Sequence, residues 1–316
     1  MKPEDIASHA QPSSLDTTLG NELFILDTDQ GRFKNVPGQS VYRTLLGLPK
    51  RQRERKDITD GYVLNTGFSY LVPLEERVRM SAGQNLTIKS SPKSSPGRLF
   101  LDMRVMYDFT DCFNGFSLIP SEDREMQMWL LLEPQAFNVI IHPGLALNQL
   151  RFANAPVSRL GPHEIAAAFK QDPLYLDQQT GAPLAPMFSA SGELYVHLDL
   201  IGRRSSGIAA LRARKNPEPI DLTKKNAAPP DDYFDAIKGP TLTMKRGEHY
   251  LVASKEIVKM PHHLCAELRP DSDVGVRGKI NYADFVDQGF ANTIVCHLQP
   301  HETVQLEDGM AISTMD

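Results

Sequence analysis

The chain has 316 residues, 41% of them hydrophobic and 23% charged, which suits two globular domains and excludes an extended disordered chain. A net charge of −5 removes any global electrostatic case for nucleic-acid binding. No apolar run approaches membrane-spanning length, so no membrane partner is expected.

The N-terminus lacks the apolar stretch of a signal peptide. Cys112, Cys265 and Cys296 are odd in number and widely spaced. Together these point to reduced thiols in a soluble, cytoplasmic protein. The 23 prolines and 21 glycines are scattered along the whole chain, as expected for many short strands joined by turns.

In chain order, the first pattern is Gln11-Pro12-Ser13-Ser14-Leu15-Asp16 with Gly20, which reads as a turn before a strand. The basic run from Lys50 to Lys56 reads as a solvated loop rather than a phosphate contact. Residues 70–80, YLVPLEERVRM, form a strand. Lys93-Ser94-Ser95-Pro96-Gly97-Arg98 sets two hydroxyls, turn amides and a guanidinium within a few positions. Such a group wraps a polyphosphate; the same residues also make an ordinary polar turn. Leu99, Leu101, Met103 and Val105 alternate with a period of two. Trp129–Leu132 and Val139–Ile141 are short apolar runs fit for buried strands. In the strand that follows Gly144, Gln149 and Arg151 share one face. The clearest helix runs from Pro162 to Gln171, stopped by Pro173.

The second half repeats the first. YLVASKEIVKM at 250–260 matches 70–80 without a gap, each identity 180 positions apart. Downstream, Asn114-Gly115-Phe116 is echoed by Gln288-Gly289-Phe290, and Pro143–Leu147 by Asp308–Ile312. Upstream, Ser14-Leu15-Asp16 with Gly20 resembles Leu198-Asp199-Leu200 with Gly202. The order is kept throughout, which marks a duplication. In Phe285-Val286-Asp287-Gln288-Gly289-Phe290, the glycine admits a flat ring close to the backbone, and Phe290 can pack on a sugar; a bend with a core phenylalanine is the plainer reading.

Taken together, these motifs resemble the dCTP deaminase branch of the dUTPase superfamily. QPSSLD…LG is similar to its first motif and KSSPGR to its Ser-Ser-x-x-Arg phosphate motif. FVDQGF is similar to its Asp-Pro-Gly-Phe motif, with Gln288 in place of proline, and PGLALNQLRF to its late strand. The tandem layout resembles the double-length bacterial 2′-deoxycytidine 5′-triphosphate deaminases over nearly the whole chain. The resemblance implies a mainly β fold of two dUTPase-like β-clip domains, 1–155 and 190–316, with a short helical connection at 156–189.

It also implies hydrolytic deamination of dCTP to dUTP and ammonia. Ser95 and Arg98 act with a strand-borne glutamate that shuttles the proton, and Ser94, Gln149, Arg151, Asp287, Gly289 and Phe290 contact the substrate. Mg²⁺ accompanies the triphosphate, no protein metal site and no zinc is used, and the chain assembles as a homo-oligomer, a trimer in this family. Glu133 is the carboxylate on the strand after the first Gly-Phe turn, although a gapless match puts Leu131 at the catalytic position. The second-half strand Thr293–Leu298 has no carboxylate, and His297 is its nearest base. The region 271–277 is acidic where the phosphate motif belongs. Relatives continue beyond the point matching Asp316, so a closing arm is expected to be missing.

The residues leave two other functions open: a catalytically degenerate nucleotide-binding homologue, and a dUTP diphosphohydrolase acting through Asp287. The zinc-type cytidine deaminase is excluded by pattern, since His262, His263 and Cys265 lack the order His-x-Glu…Pro-Cys-x-x-Cys.

Overall fold

A computed structural model describes residues 9–27, 33–153, 159–203, 205–215, 217–270 and 285–316. Along the first half run β1 (Leu15–Thr18), β2 (Glu22–Leu26), helix α1 (Val41–Gly47), β3 (Arg53–Asp57), β4 (Tyr62–Leu64), β5 (Ser69–Met80) and β6 (Leu86–Pro92). The single turn α2 (Ser94–Gly97) then leads to β7 (Leu101–Tyr107), β8 (Gly115–Leu118), β9 (Arg124–Pro134), β10 (Val139–Ile141) and β11 (Ala146–Ala153). Next come α3 (Pro162–Gln171), β12 (Tyr175–Asp177), β13 (Leu194–His197), β14 (Ile208–Ala213), β15 (Ile220–Asp221), α4 (Pro230–Tyr233), β16 (Phe234–Lys238) and β17 (Thr241–Met244). The last strands are β18 (Tyr250–Lys259), β19 (Ala266–Pro270), β20 (Phe285–Val286), β21 (Ala291–Leu298), β22 (Val304–Glu307) and β23 (Ala311–Met315). The protein is therefore mainly β with few helices.

The chain divides into two compact units: residues 1–157 with 216–228, and residues 158–215 with 229–316. In the first unit, the sheets run β3-β2-β5-β9-β7, β1-β11-β6-β8 and β15-β10-β4. Alternation along β5 and β9 gives each strand two buried faces. Tyr70, Val72, Leu130 and Leu132 lie on one and are at most 1% exposed. Leu71, Trp129 and Leu131 lie on the other and pack with Phe24, Leu26, Met106 and with Val41 and Leu45 of α1. The run at 50–56, read as a loop, is a 3₁₀ turn at Lys50–Gln52 followed by edge strand β3. Its charges suit an unpaired sheet edge.

In the second unit, β12-β18-β14-β16 form one sheet, with β21 on the other side of β18. β13-β23-β19-β20 form another, and β17 pairs with β22. Helix α3 spans Pro162–Gln171, as its sequence predicts. Pro162 opens it, Glu164 accepts a hydrogen bond from the Gly161 amide at 2.7 Å, and Ile165 and Phe169 bury one stripe in the second core. Each such burial stabilises by roughly 1.5–3 kcal/mol.

The two units share one internal design. Both β5 and β18 carry an irregularity at the same place, between Pro73 and Arg77 against β9 and between Ala253 and Ile257 against β21. At that bulge Glu76 accepts from Thr18 N and Oγ1, both at 2.8 Å, and Glu256 accepts from His197 N at 3.1 Å and meets its ring at 2.5 Å. The Tyr70 hydroxyl accepts from Asn65 N and the Tyr250 hydroxyl from Lys245 N. Gly144 and Gly309 both take positive φ and donate to Leu19 and Leu198.

Two of the sequence echoes fall elsewhere. Leu198 is the counterpart of Leu19, so Asp199 stands where the first unit has Gly20: their amides donate to Ala253 and Pro73 respectively. Asp16 is therefore not matched by Asp199. Gly115 opens β8, whereas Gly289 follows β20, so these two Gly-Phe pairs are not equivalent either. Register, set by the bulges, overrides local likeness.

Candidate functional site

The turn α2 projects Ser94 and Ser95 into solvent while Pro96 and Gly97 are buried beneath them. Arg98 caps the turn: its amide donates to Ser94 O at 3.0 Å and its guanidinium to Ser95 Oγ at 3.3 Å. Burial lowers the Arg98 pKa from its ordinary value. A partly desolvated guanidinium beside two exposed hydroxyls is a strong partner for a phosphate.

Both ends of the turn are tied to neighbouring strands. On one side, the Lys93 amide donates to Leu147 O at 2.9 Å, and the Lys93 ammonium is paired with Asp16 on β1. Asp16 Oδ1 is buried without a hydrogen-bond partner. Asp16, Gln149 and Ser91 are cross-strand neighbours on β1, β11 and β6. Gln149 accepts from Ser14 Oγ at 2.9 Å, and Arg151 donates to Ser91 Oγ at 3.4 Å. Gln149 and Arg151 thus stand on the sheet face that also holds Asp16.

On the other side, the chain passes from Arg98 through Phe100, whose carbonyl accepts from Gln135 N at 2.9 Å. Leu101 then pairs with Pro134, and Asp102 with Glu133. Arg98 and Glu133 therefore lie at the same end of the β7–β9 ladder. Glu133 is half-buried and accepts from Ser69 Oγ at 2.6 Å. Leu131, the gapless alternative, is 2% exposed in an apolar cluster.

Asp287, Gly289 and Phe290 lie in the second unit, in the turn from β20 to β21. Phe290 N donates to Asp287 O at 3.2 Å and Gly289 N to Met260 O at 3.0 Å. Gly289 has φ +75°, and a Cβ there meets the His262 ring at 2.9 Å, so glycine is required. Phe290 packs against the second core. The acidic region 271–277 lies outside the described residues. Among the described residues, no group of three or more His, Cys, Asp or Glu side chains is arranged to hold a metal ion, and no helix is long and apolar enough to cross a membrane.

Ser69, Asp102 and the Lys93–Asp16 pair were not singled out by sequence. The one signal for Ser69 was its place directly before Tyr70, where the repeat begins.

A mainly β chain that carries one domain twice, with the serine–arginine turn and the glutamate on its first copy, defines a tandem-domain protein of the dCTP deaminase fold. Residues 2–156 match the model of the 2′-deoxycytidine 5′-triphosphate deaminase N-terminal domain, and residues 164–304 that of the C-terminal domain. The chain belongs to the double-length 2′-deoxycytidine 5′-triphosphate deaminase family. The crystal structure of 2′-deoxycytidine 5′-triphosphate deaminase from Agrobacterium tumefaciens is similar, with a TM-score of 0.82 and 26% identity over 98% of this chain and 89% of that one. Two anti-sigma factor domain-containing proteins, one from Clostridium clariflavum, align at 10% and 8% identity over 94% of this chain and 88% of theirs. Their TM-scores of 0.18 and 0.19 carry no argument. No curated protein matches the chain.

Proposed function

We propose that the chain converts dCTP and water to dUTP and ammonia at a site built on the first unit, a dUTPase-like domain. The observation that supports this reading is the β7–β9 ladder, which has the serine–arginine turn and Glu133 at the same end. Ser94, Ser95 and Arg98 hold the triphosphate. Glu133 takes a proton from water as its oxygen bonds to C4 of cytosine and passes it to N3; it then carries the remaining hydroxyl proton to the amino group, so that the C4–N bond breaks, ammonia leaves and the C4 carbonyl forms. A positioned carboxylate is a competent acid–base group for both transfers. Gln149 and Arg151 on β11 orient the substrate, and Asp287, Gly289 and Phe290 contribute sugar or base contacts.

The magnesium ion belongs to the substrate complex. It is held mainly by phosphate oxygens and water, which suits a turn that offers hydroxyls and a cation. The reaction uses no zinc. The second unit is a non-catalytic copy: Tyr250 pairs with Leu298 as Tyr70 pairs with Leu132, so the position of Glu133 is taken by Gln299. The odd number and wide spacing of Cys112, Cys265 and Cys296 suit reduced thiols and a cytoplasmic location.

Incubation with dCTP and Mg²⁺ tests the proposal by release of ammonia and dUTP. Glu133→Gln is expected to bind dCTP and lose turnover by about a hundredfold or more. Formation of dUMP and pyrophosphate instead indicates diphosphohydrolysis. Binding of dCTP without conversion by the wild type indicates a degenerate homologue.

A further inference from the structure

We infer that Ser69 is a positioning residue that holds the Glu133 carboxylate in the orientation needed for proton transfer; the inference rests on the deaminase reading above. Tyr70 faces Leu132 across β5 and β9, which sets Ser69 beside Glu133, and Asp102 faces Glu133 from β7. The three side chains thus form one row on one face of the sheet. Of the two that flank the glutamate, only Ser69 is a donor; Asp102 is 3.7 Å from Arg104. The Ser69–Glu133 separation of 2.6 Å is in the range of a charge-assisted hydroxyl–carboxylate bond. Ser69 is only 4% exposed, so its surroundings fix the hydroxyl. A glutamate on a strand has three rotatable side-chain bonds. Anchoring Oε1 sets the rotation of the carboxylate and so the position of both oxygens, as acid–base catalysis requires.

The duplicated domain supplies a comparison within the same chain. The register of β18 and β21 sets His249 beside Gln299 where the first unit has Ser69 beside Glu133. The flanking pairs, Tyr70 with Leu132 and Tyr250 with Leu298, keep the same residue types. The serine and the glutamate are absent together from the second unit. A serine needed only for packing has no reason to go with the carboxylate.

Steady-state deamination of dCTP with Mg²⁺ is the test. Ser69→Ala is expected to lower kcat by about ten- to a hundredfold, the worth of a hydrogen bond to a charged group, with KM changed less than about twofold. Ser69→Thr, which keeps the hydroxyl, recovers most of the rate. In the Glu133→Gln background, Ser69→Ala costs nothing further, because the serine acts only through the carboxylate. If the alanine variant does not fold, Ser69→Cys, which keeps the shape with a weak donor, is expected to show the same selective loss of kcat. Wild-type kcat in Ser69→Ala, or an equal further loss on top of Glu133→Gln, overturns the inference alone. A wild-type protein that does not deaminate dCTP, or a fully active Glu133→Gln, overturns the deaminase reading and the inference with it.

Discussion

Arg98 closes a single helical turn and is half-buried, while Ser94 and Ser95 stay exposed. Its desolvation is compensated when an anion arrives, which makes its contribution to binding large. Arg98→Ala is expected to raise KM for dCTP by about tenfold or more, with Arg98→Lys recovering only part, because a point charge cannot reproduce the planar fork. Steady-state deamination over a range of dCTP concentrations checks this. A different residue governs acid sensitivity. His249 is buried, and desolvation pulls its pKa down to about 4, below the roughly 6.5 of an unfolded histidine. The fold accommodates the neutral ring. Its stabilising contribution is complete above about pH 6.5 and is lost as pH falls towards 4; by pH 5 the loss is about 2 kcal/mol. The fall in melting temperature between pH 7 and pH 5 is expected to shrink in His249→Gln.

At the scale of elements, the bulged strand is the unit that was duplicated. Where β5 bulges, Glu76 reaches the Thr18 amide and hydroxyl. Where β18 bulges, Glu256 does the same for His197. A charged acceptor that satisfies a strand amide contributes about 1.5–3 kcal/mol. Glu76→Ala is therefore expected to destabilise the first unit by about that amount in urea unfolding, with Glu76→Gln losing less, since one acceptor oxygen survives. The repeat at 70–80 and 250–260 was legible because the bulge, the buried alternation and the carboxylate all constrain the same few positions. Helix α3 was legible for the same reason: Pro162, the Ile165–Phe169 stripe and Pro173 agree. Register was not legible. Leu198-Asp199 resembles Leu15-Asp16 locally, yet hydrogen bonding makes Asp199 the counterpart of Gly20, and nothing local encodes which strand a bulge faces. The partnership of Ser69 with Glu133 was hidden for the same cause, as 64 positions separate them. Strand β15 adds a related case: residues 216–228 come late in sequence but belong to the first unit, where Ile220 pairs with Val139.

At the scale of the whole molecule, the proposed site residues are split between the two units. Six lie on the first, around α2, β9 and β11, and Asp287, Gly289 and Phe290 lie on the second. If both sets touch one nucleotide, a closed ring is a simple way to supply them. In a cyclic homo-oligomer each subunit offers the same two surfaces head to tail, and the ring closes without free ends. Light scattering is expected to return three times the monomer mass, and a fully active monomer rules the ring out. Mixing variants goes further. Arg98→Ala damages the first-unit part of a site, and Phe290→Ala the second-unit part. Where the two parts come from different subunits, unfolding and refolding the two impaired variants together yields mixed trimers in which some sites receive two intact halves. Partial recovery of deamination is then expected, and its size rises with the fraction of mixed species. Where both parts come from one subunit, every site in the mixture carries one lesion and the mixture, assayed at dCTP well below the raised KM, stays as impaired as its components.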